Sequence, residues 1–333
     1  MPLEEKKEDL EEDLPTIQKV NRNEENTHLP FEPPDLNTFM RKQGYALAGR
    51  HSAVKTCLWL RHAINGQGFC YKSKFYGVQS HRCLQMTPTL MCNQRCLFCW
   101  RPIEISVPTP DEWDYPKKIV EESIACQRKL ITGFGGSEIA IKERLIESYE
   151  PNNVAISLSG EPTLYPYLPE LIEEYKIMGF KVFLVTNGTN PEMLTKVSPS
   201  QLYMSLDAPD IETYLKICKP KSAVLWKRIN ESLTILREKK SRTVIRTTLI
   251  KGENMFRSER YAEMIKKASP DFVEIKAYMH LGFSRFRLDR SSMPTHVEVL
   301  EFSKEIAKYL GYEIVDESEI SRVVLLSKNS TGL

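Results

Sequence analysis

Between residues 84 and 275 the chain repeats one pattern: a short apolar, β-branched run, a polar loop, then a helical stretch. The runs fall at 84–91, 154–158, 181–185, 202–206, 244–250 and 272–275, and runs of this kind bounded by turn residues predict strands. Helical patterns occupy 116–128, 137–149, 167–178, 211–217, 223–239 and 258–267. Strands separated by helices pair in parallel, and the helices cover the sheet. A helix over 295–310 and a strand over 323–326 complete the pattern. In parallel α/β folds the site lies where strands end and loops lead into helices. Polar motifs fall at all six of those places: Cys92 to Cys99, Ser159-Gly160-Glu161-Pro162-Thr163, Thr186-Asn187-Gly188-Thr189, Asp207-Ala208-Pro209, Lys251-Gly252-Glu253-Asn254 and Tyr278-Met279-His280. One such motif is an ordinary turn. Six on one rim predict an enzyme.

The first motif, Cys92-Asn-Gln-Arg-Cys96-Leu-Phe-Cys99, offers three soft thiolates from one loop, which selects an iron-sulfur cluster or zinc. A structural zinc site wants four ligands in two separated pairs, and no second pair or nearby histidine completes one here. A cube of four irons held by three cysteines leaves one iron open for a substrate or cofactor. Cys57, Cys70 and Cys83 stand thirteen residues apart, twice. Alone this is a weak metal signal, strengthened by the neighbouring triplet. Cys126 and Cys218 fit helical patterns and read as structural. Gly133-Phe-Gly-Gly136 lacks the preceding strand and the Lys-Ser/Thr ending of a phosphate loop and reads as a hinge between helices.

The balance of 46 basic and 44 acidic residues, net charge +2, announces no nucleic-acid partner, so the distribution of charge has to decide. Eight cysteines without a signal peptide point to a reducing, cytoplasmic setting, and no apolar run approaches the roughly 20 residues that span a bilayer. Residues 1–35 are acidic and lack apolar periodicity, which predicts a disordered tail.

The cysteine spacing resembles that of the radical S-adenosylmethionine (SAM) superfamily, over roughly residues 84–280. That resemblance implies a partial (β/α)6, TIM-like barrel of the α/β class. It also implies a [4Fe-4S] cluster on Cys92, Cys96 and Cys99 that binds and cleaves SAM, with Phe98 near the adenine. Ser159, Gly160 and Glu161 match the motif that contacts SAM's amino group. Asn187 and Ser205 match positions that bond its carboxylate or ribose, and Asp207 and Asn254 read as supporting residues.

After residue 35 nearly the whole chain resembles more closely the 4-demethylwyosine synthase family. The likeness rests on the thirteen-residue cysteine step, Lys72, Ser159 to Tyr165, Thr186 to Thr189, Ser205 to Pro209 and Met279 to Arg285. It implies an N-terminal, cluster-bearing extension (36–83), a core barrel (84–290) and a C-terminal helix and strand (291–333). The implied reaction condenses N1-methylguanosine at position 37 of tRNA(Phe) with two carbons of pyruvate, giving 4-demethylwyosine. Cys57, Cys70 and Cys83 would hold a second [4Fe-4S] cluster that chelates pyruvate, and Lys72 would act as a Schiff-base amine or as a cation. Some family members carry an N-terminal flavodoxin-like domain; the acidic segment in its place here implies an external electron donor of flavodoxin or ferredoxin type.

The tRNA is expected to meet His280, Arg285, Arg287 and Arg290, with Tyr278 or Phe283 stacking on a base. Lys216, Lys219, Lys221, Lys227 and Arg228 form a second basic region. The alternatives are another two-cluster RNA-modifying enzyme such as a methylthiotransferase, against which the chain shows no C-terminal RNA-binding β-barrel, and a zinc-stabilised RNA-binding protein.

Overall fold

A computed structural model of the chain describes residues 36–328; the acidic tail expected over 1–35 lies outside the described residues. Ten strands form one sheet: β1 (Ala46–Ala48), β2 (Ser52–Val54), β3 (Cys83–Thr87), β4 (Asn153–Ile156), β5 (Lys181–Thr186), β6 (Gln201–Ser205), β7 (Arg242–Leu249), β8 (Phe272–Ala277), β9 (Glu313–Ser318) and β10 (Val323–Ser327). Their order is β1-β2-β3-β4-β5-β6-β7-β8-β10-β9. The six central strands, β3 to β8, are parallel, as the alternation predicts. The outer pairs are antiparallel, so the sheet is mixed and open rather than closed.

β1, β2 and β9 escape the sequence reading. The first two are three residues long, too short for a period to register, and β9 is half-buried and acidic. The helix expected over 137–149 is Lys142–Ser148. Residues 132–136 form a 3-10 turn, and the Ile141 N–H is taken by Ile64 O at 2.9 Å, which holds the approach to the helix outside helical geometry. The helix His296–Leu310 has the Thr295–Glu298 capping box and ends on Gly311 in the left-handed conformation.

Strand alternation divides the core. One face (Leu84, Val154, Ile156, Val182, Leu184, Leu202, Met204, Ile245, Val273, Ile275) packs under the covering helices. The inner face (Phe183, Val185, Tyr203, Val244, Phe272, Val323, Leu325) packs against Tyr71, Phe75 and Tyr76. The helix Tyr71–Tyr76 therefore fills the hollow of the half-barrel, and it carries Lys72. No helix among the described residues is long and apolar enough to cross a membrane.

Candidate active site

Parallel strands put their carboxyl ends on one edge, and the cysteine loop is held there by its neighbours. Gly160 has φ +71°, and a Cβ on it would lie 2.2 Å from Thr89 O and 2.7 Å from Met91 O. Only glycine allows so close an approach, and beside it the Glu161 N–H donates to Met91 O at 2.7 Å. The buried Glu161 carboxylate accepts from Thr163 Oγ1 (2.6 Å), Thr163 N (3.1 Å), Thr186 Oγ1 (2.7 Å) and Asn187 N (2.7 Å). It thereby ties the second motif to the third. Asn187 Nδ2 donates to Asn93 Oδ1 at 2.9 Å and lies 4.0 Å from Cys92 Sγ. The other side of the loop is bonded to the end of the helix Ile211–Cys218, through Leu97 N to Ile217 O at 2.8 Å and Arg95 N to Cys218 O at 2.9 Å.

Burial pushes the Cys92 thiol up to about 12, while the hydrogen bond with the Cys218 thiol, and then burial, raises Cys96. Arg101 stands next to the three thiols and donates to Leu90 O at 2.7 Å. Crowded, desolvated thiols suit an iron-sulfur cluster, because metal binding turns such thiols into thiolates, whose negative charge the neighbouring guanidinium offsets. Among the described residues no three cysteine, histidine or acidic side chains converge closely enough to hold a single metal ion. A cube of four irons, whose ligands sit on separate irons, does not require that.

Cys57, Cys70 and Cys83 also come together, although 26 residues separate the first from the last. Cys57 caps the helix Leu58–Ile64, Cys70 precedes Tyr71–Tyr76, and Cys83 opens β3. Burial, the mutual proximity of these thiols and, against both, Lys72 set their acidity, with Cys70 pushed up to about 11. The two triplets thus flank one strand, Cys83 at its start and Cys92 to Cys99 beyond its end. Lys72 lies over the inner face: its Nζ is 4.4 Å from the Tyr203 ring centroid and 5.6 Å from that of Phe183.

The comparisons with known proteins agree with this geometry. The radical SAM superfamily model matches residues 86–268 and the model for wyosine base formation matches 267–328. The S-adenosyl-L-methionine-dependent tRNA 4-demethylwyosine synthase of Pyrococcus abyssi is 50% identical over 309 residues, 90% of either chain. The chain belongs to the 4-demethylwyosine synthase family. A solved structure of TYW1 with a lysine-pyruvate adduct bound has a TM-score of 0.82 at 42% identity, covering 89% of this chain and 96% of that one. Another, of archaeal TYW1, has a TM-score of 0.76 at 37% identity, covering 91% and 99%. As a radical SAM enzyme, this 4-demethylwyosine synthase family member uses SAM and a [4Fe-4S] cluster.

The remaining site residues divide sharply. Ser205 and Asp207 line a small cavity with Gln94, Asn187 and Tyr214. Ser159 is buried, and its carbonyl accepts from Thr87 Oγ1 at 2.5 Å. Phe98 is partly buried against Tyr278 and Leu288. Burial pushes the Asp207 carboxyl up to about 6, against the lowering pull of the Thr248 N–H and Arg246. Asn254 is fully buried and its amide is spent on Ile250 N, Thr248 O and Asp207 O, so it braces two loops rather than touching a cofactor.

Arg287 is a correction to the expected tRNA contacts. Its side chain is buried, donating to Leu97 O (3.0 Å), Arg101 O (3.2 Å) and Cys99 O and pairing with Glu104 at 2.6 Å. It wraps the cysteine loop. Tyr278 and Phe283 are likewise buried and cannot stack on an incoming base. His280, Arg285 and Arg290 do group together: burial first, then these two arginines, hold the imidazole below its ordinary value. Arg285 and Arg290 are exposed. In the second basic region, Lys216 pairs with Glu253 and Arg228 with Glu192.

Sequence reasoning missed Arg101, Arg246 and Glu274. Glu274 is fully buried and accepts from Tyr71 OH (2.9 Å) and Tyr76 OH (2.7 Å), fastening the Lys72 helix inside the sheet. A charged residue within the apolar β8 run was the available signal. The double substitution Tyr71→Phe/Tyr76→Phe leaves this carboxylate without its partners, at about 1–3 kcal/mol for each lost bond. A melting temperature several degrees lower is expected, and an unchanged one would remove this anchoring role.

Proposed function

We propose that the chain forms 4-demethylwyosine from N1-methylguanosine-37 of tRNA(Phe) and two carbons of pyruvate. The observation that carries this reading is the position of Lys72, over Tyr203 inside the sheet and within electrostatic reach of Cys57, Cys70 and Cys83. A solvated surface lysine would point outward; this one makes no ion pair among the described residues. Its amine is thus available to a keto carbon, and the lysine-pyruvate adduct of the 42% identical TYW1 supports that use.

Cys92, Cys96 and Cys99 would hold the SAM cluster, and Cys57, Cys70 and Cys83 a second [4Fe-4S] cluster. When bound, the first cluster and SAM supply the radical chemistry and the second a Lewis acid. The chain's own part is positioning. Gly160 and Glu161 set the loop around SAM with Asn187 and Ser205, while Lys72 captures pyruvate in a site lined by Phe183 and Tyr203. His280, Arg285 and Arg290 present positive charge to the tRNA backbone at the rim, where phosphate contacts set register. A flavodoxin- or ferredoxin-type donor supplies electrons, in a cytoplasmic setting.

Iron analysis tests the two-cluster reading. After anaerobic reconstitution, about eight irons per chain are expected, and about four in each of the triple variants Cys57→Ala/Cys70→Ala/Cys83→Ala and Cys92→Ala/Cys96→Ala/Cys99→Ala. Wild type holding only about four, with no loss in the first variant, would sink the second cluster. The function itself is tested by incubating reconstituted protein with methylated tRNA, SAM, reductant and carbon-labelled pyruvate. Absence of label in the product nucleoside would refute it.

A further inference from the structure

The inner face of the sheet holds a second cation besides Lys72. Arg246 pairs in register with Ser205 on β6 and Glu274 on β8, and alternation places its side chain on the same face as Val244, inside the half-barrel. Its neighbours there are Tyr71, Glu274, Asp207 and Tyr203. Both acids have committed oxygens: Glu274 accepts from the two tyrosines, and Asp207 Oδ1 accepts from Thr248 N at 2.7 Å. Among the described residues the Arg246 side chain makes no hydrogen bond or ion pair. The guanidinium is half-buried and its N–H donors face accessible space rather than a protein partner, and its planar fork is matched by a carboxylate.

We propose that Arg246 is the carboxylate anchor for the 2-oxo acid that Lys72 captures. Tyr203 joins the two groups. Its ring lies under the Lys72 ammonium, and it stands two residues before Ser205, the register partner of Arg246. Tyr71, the chain neighbour of Lys72, is also within electrostatic reach of Arg246. SAM carries a carboxylate too. The acid on Lys72 is favoured because three of the four groups around Arg246, Tyr71, Tyr203 and Glu274, belong to the Lys72 helix and its floor, and only Asp207 lines the cavity beside the Cys92–Cys99 loop. A further cation, Lys276, donates to Ser321 O at 2.8 Å and lies 5.0 Å from the Tyr71 ring centroid, adding to the positive field. An amine alone captures any small ketone; an arginine beside it selects an acid.

This inference rests on the Lys72 reading above, and the test separates the two. Reconstituted protein is incubated anaerobically with pyruvate or with its methyl ester. The amine and keto group form an imine with loss of water, borohydride reduces it, and mass spectrometry reads the adduct on Lys72. For Arg246→Gln, trapping of sub-saturating pyruvate is expected to fall about tenfold or more, the scale of a lost charge-assisted fork. Trapping of the ester and reductant-driven SAM cleavage should change less than about twofold. Arg246→Lys, keeping charge without the fork, should fall between. Equal loss with acid and ester marks a structural role and overturns the anchor, as does unchanged pyruvate trapping with a raised KM for SAM. If Arg246→Gln loses iron or melts early, Arg246→Lys decides: acid trapping at the wild-type level overturns the proposal, and selective loss upholds it. A wild type that traps neither compound refutes the Lys72 reading and the anchor with it.

Discussion

Lys72→Ala is expected to lower 4-demethylwyosine formation by on the order of 10³-fold, the scale of losing a group that acts directly on the substrate. Iron content, SAM cleavage and melting temperature should stay near wild type. The side chain has no ion pair among the described residues, and its contact over Tyr203 and Phe183 is worth only about 0.5–2 kcal/mol. The helix that carries it is held by Tyr71 and Tyr76 on Glu274, not by Lys72. The loss should therefore be chemical rather than structural. Lys72→Arg separates the two ways the residue can act. A guanidinium keeps the positive charge but forms no imine, so an arginine variant as inactive as alanine supports covalent capture, and substantial activity supports a purely electrostatic role. Full turnover by Lys72→Ala would remove both.

Gly160→Ala should show the opposite profile, damage to the cofactor loop first. The new Cβ would press on Thr89 O and Met91 O, backbone atoms that cannot swing aside, at a positive φ that L residues avoid. Together the strain and the overpacking amount to about 2–5 kcal/mol. Relief requires the chain at 89–91 to move, and the cysteine loop begins at the next residue. Iron bound by Cys92, Cys96 and Cys99 should drop, and SAM cleavage with it, while iron attributed to Cys57, Cys70 and Cys83 persists. The Cys57→Ala/Cys70→Ala/Cys83→Ala background isolates that first site for measurement. Retention of full iron and SAM turnover in that background would show that the close approach at Gly160 does not shape the loop.

The sequence by itself determined the parts of this protein that are local. Period and β-branching marked the six parallel strands, because the pattern along a strand reports directly on the faces it buries. The 3-and-2 spacing of Cys92, Cys96 and Cys99 and the motifs at the six strand ends were legible for the same reason: each lies within a few residues of chain. Tertiary structure alone decided which polar side chains face a site and which brace it. Arg287 read as an exposed basic residue, yet it closes on Leu97, Cys99 and Glu104 from more than 180 residues away. Asn254 read as a supporting residue, but only the fold shows what it supports, the two loops that consume its amide. The interior position of Lys72 follows from Tyr71 and Tyr76 meeting Glu274 some 200 residues later. A buried polar group is defined by its partners, and when those partners come from distant strands no local pattern records them.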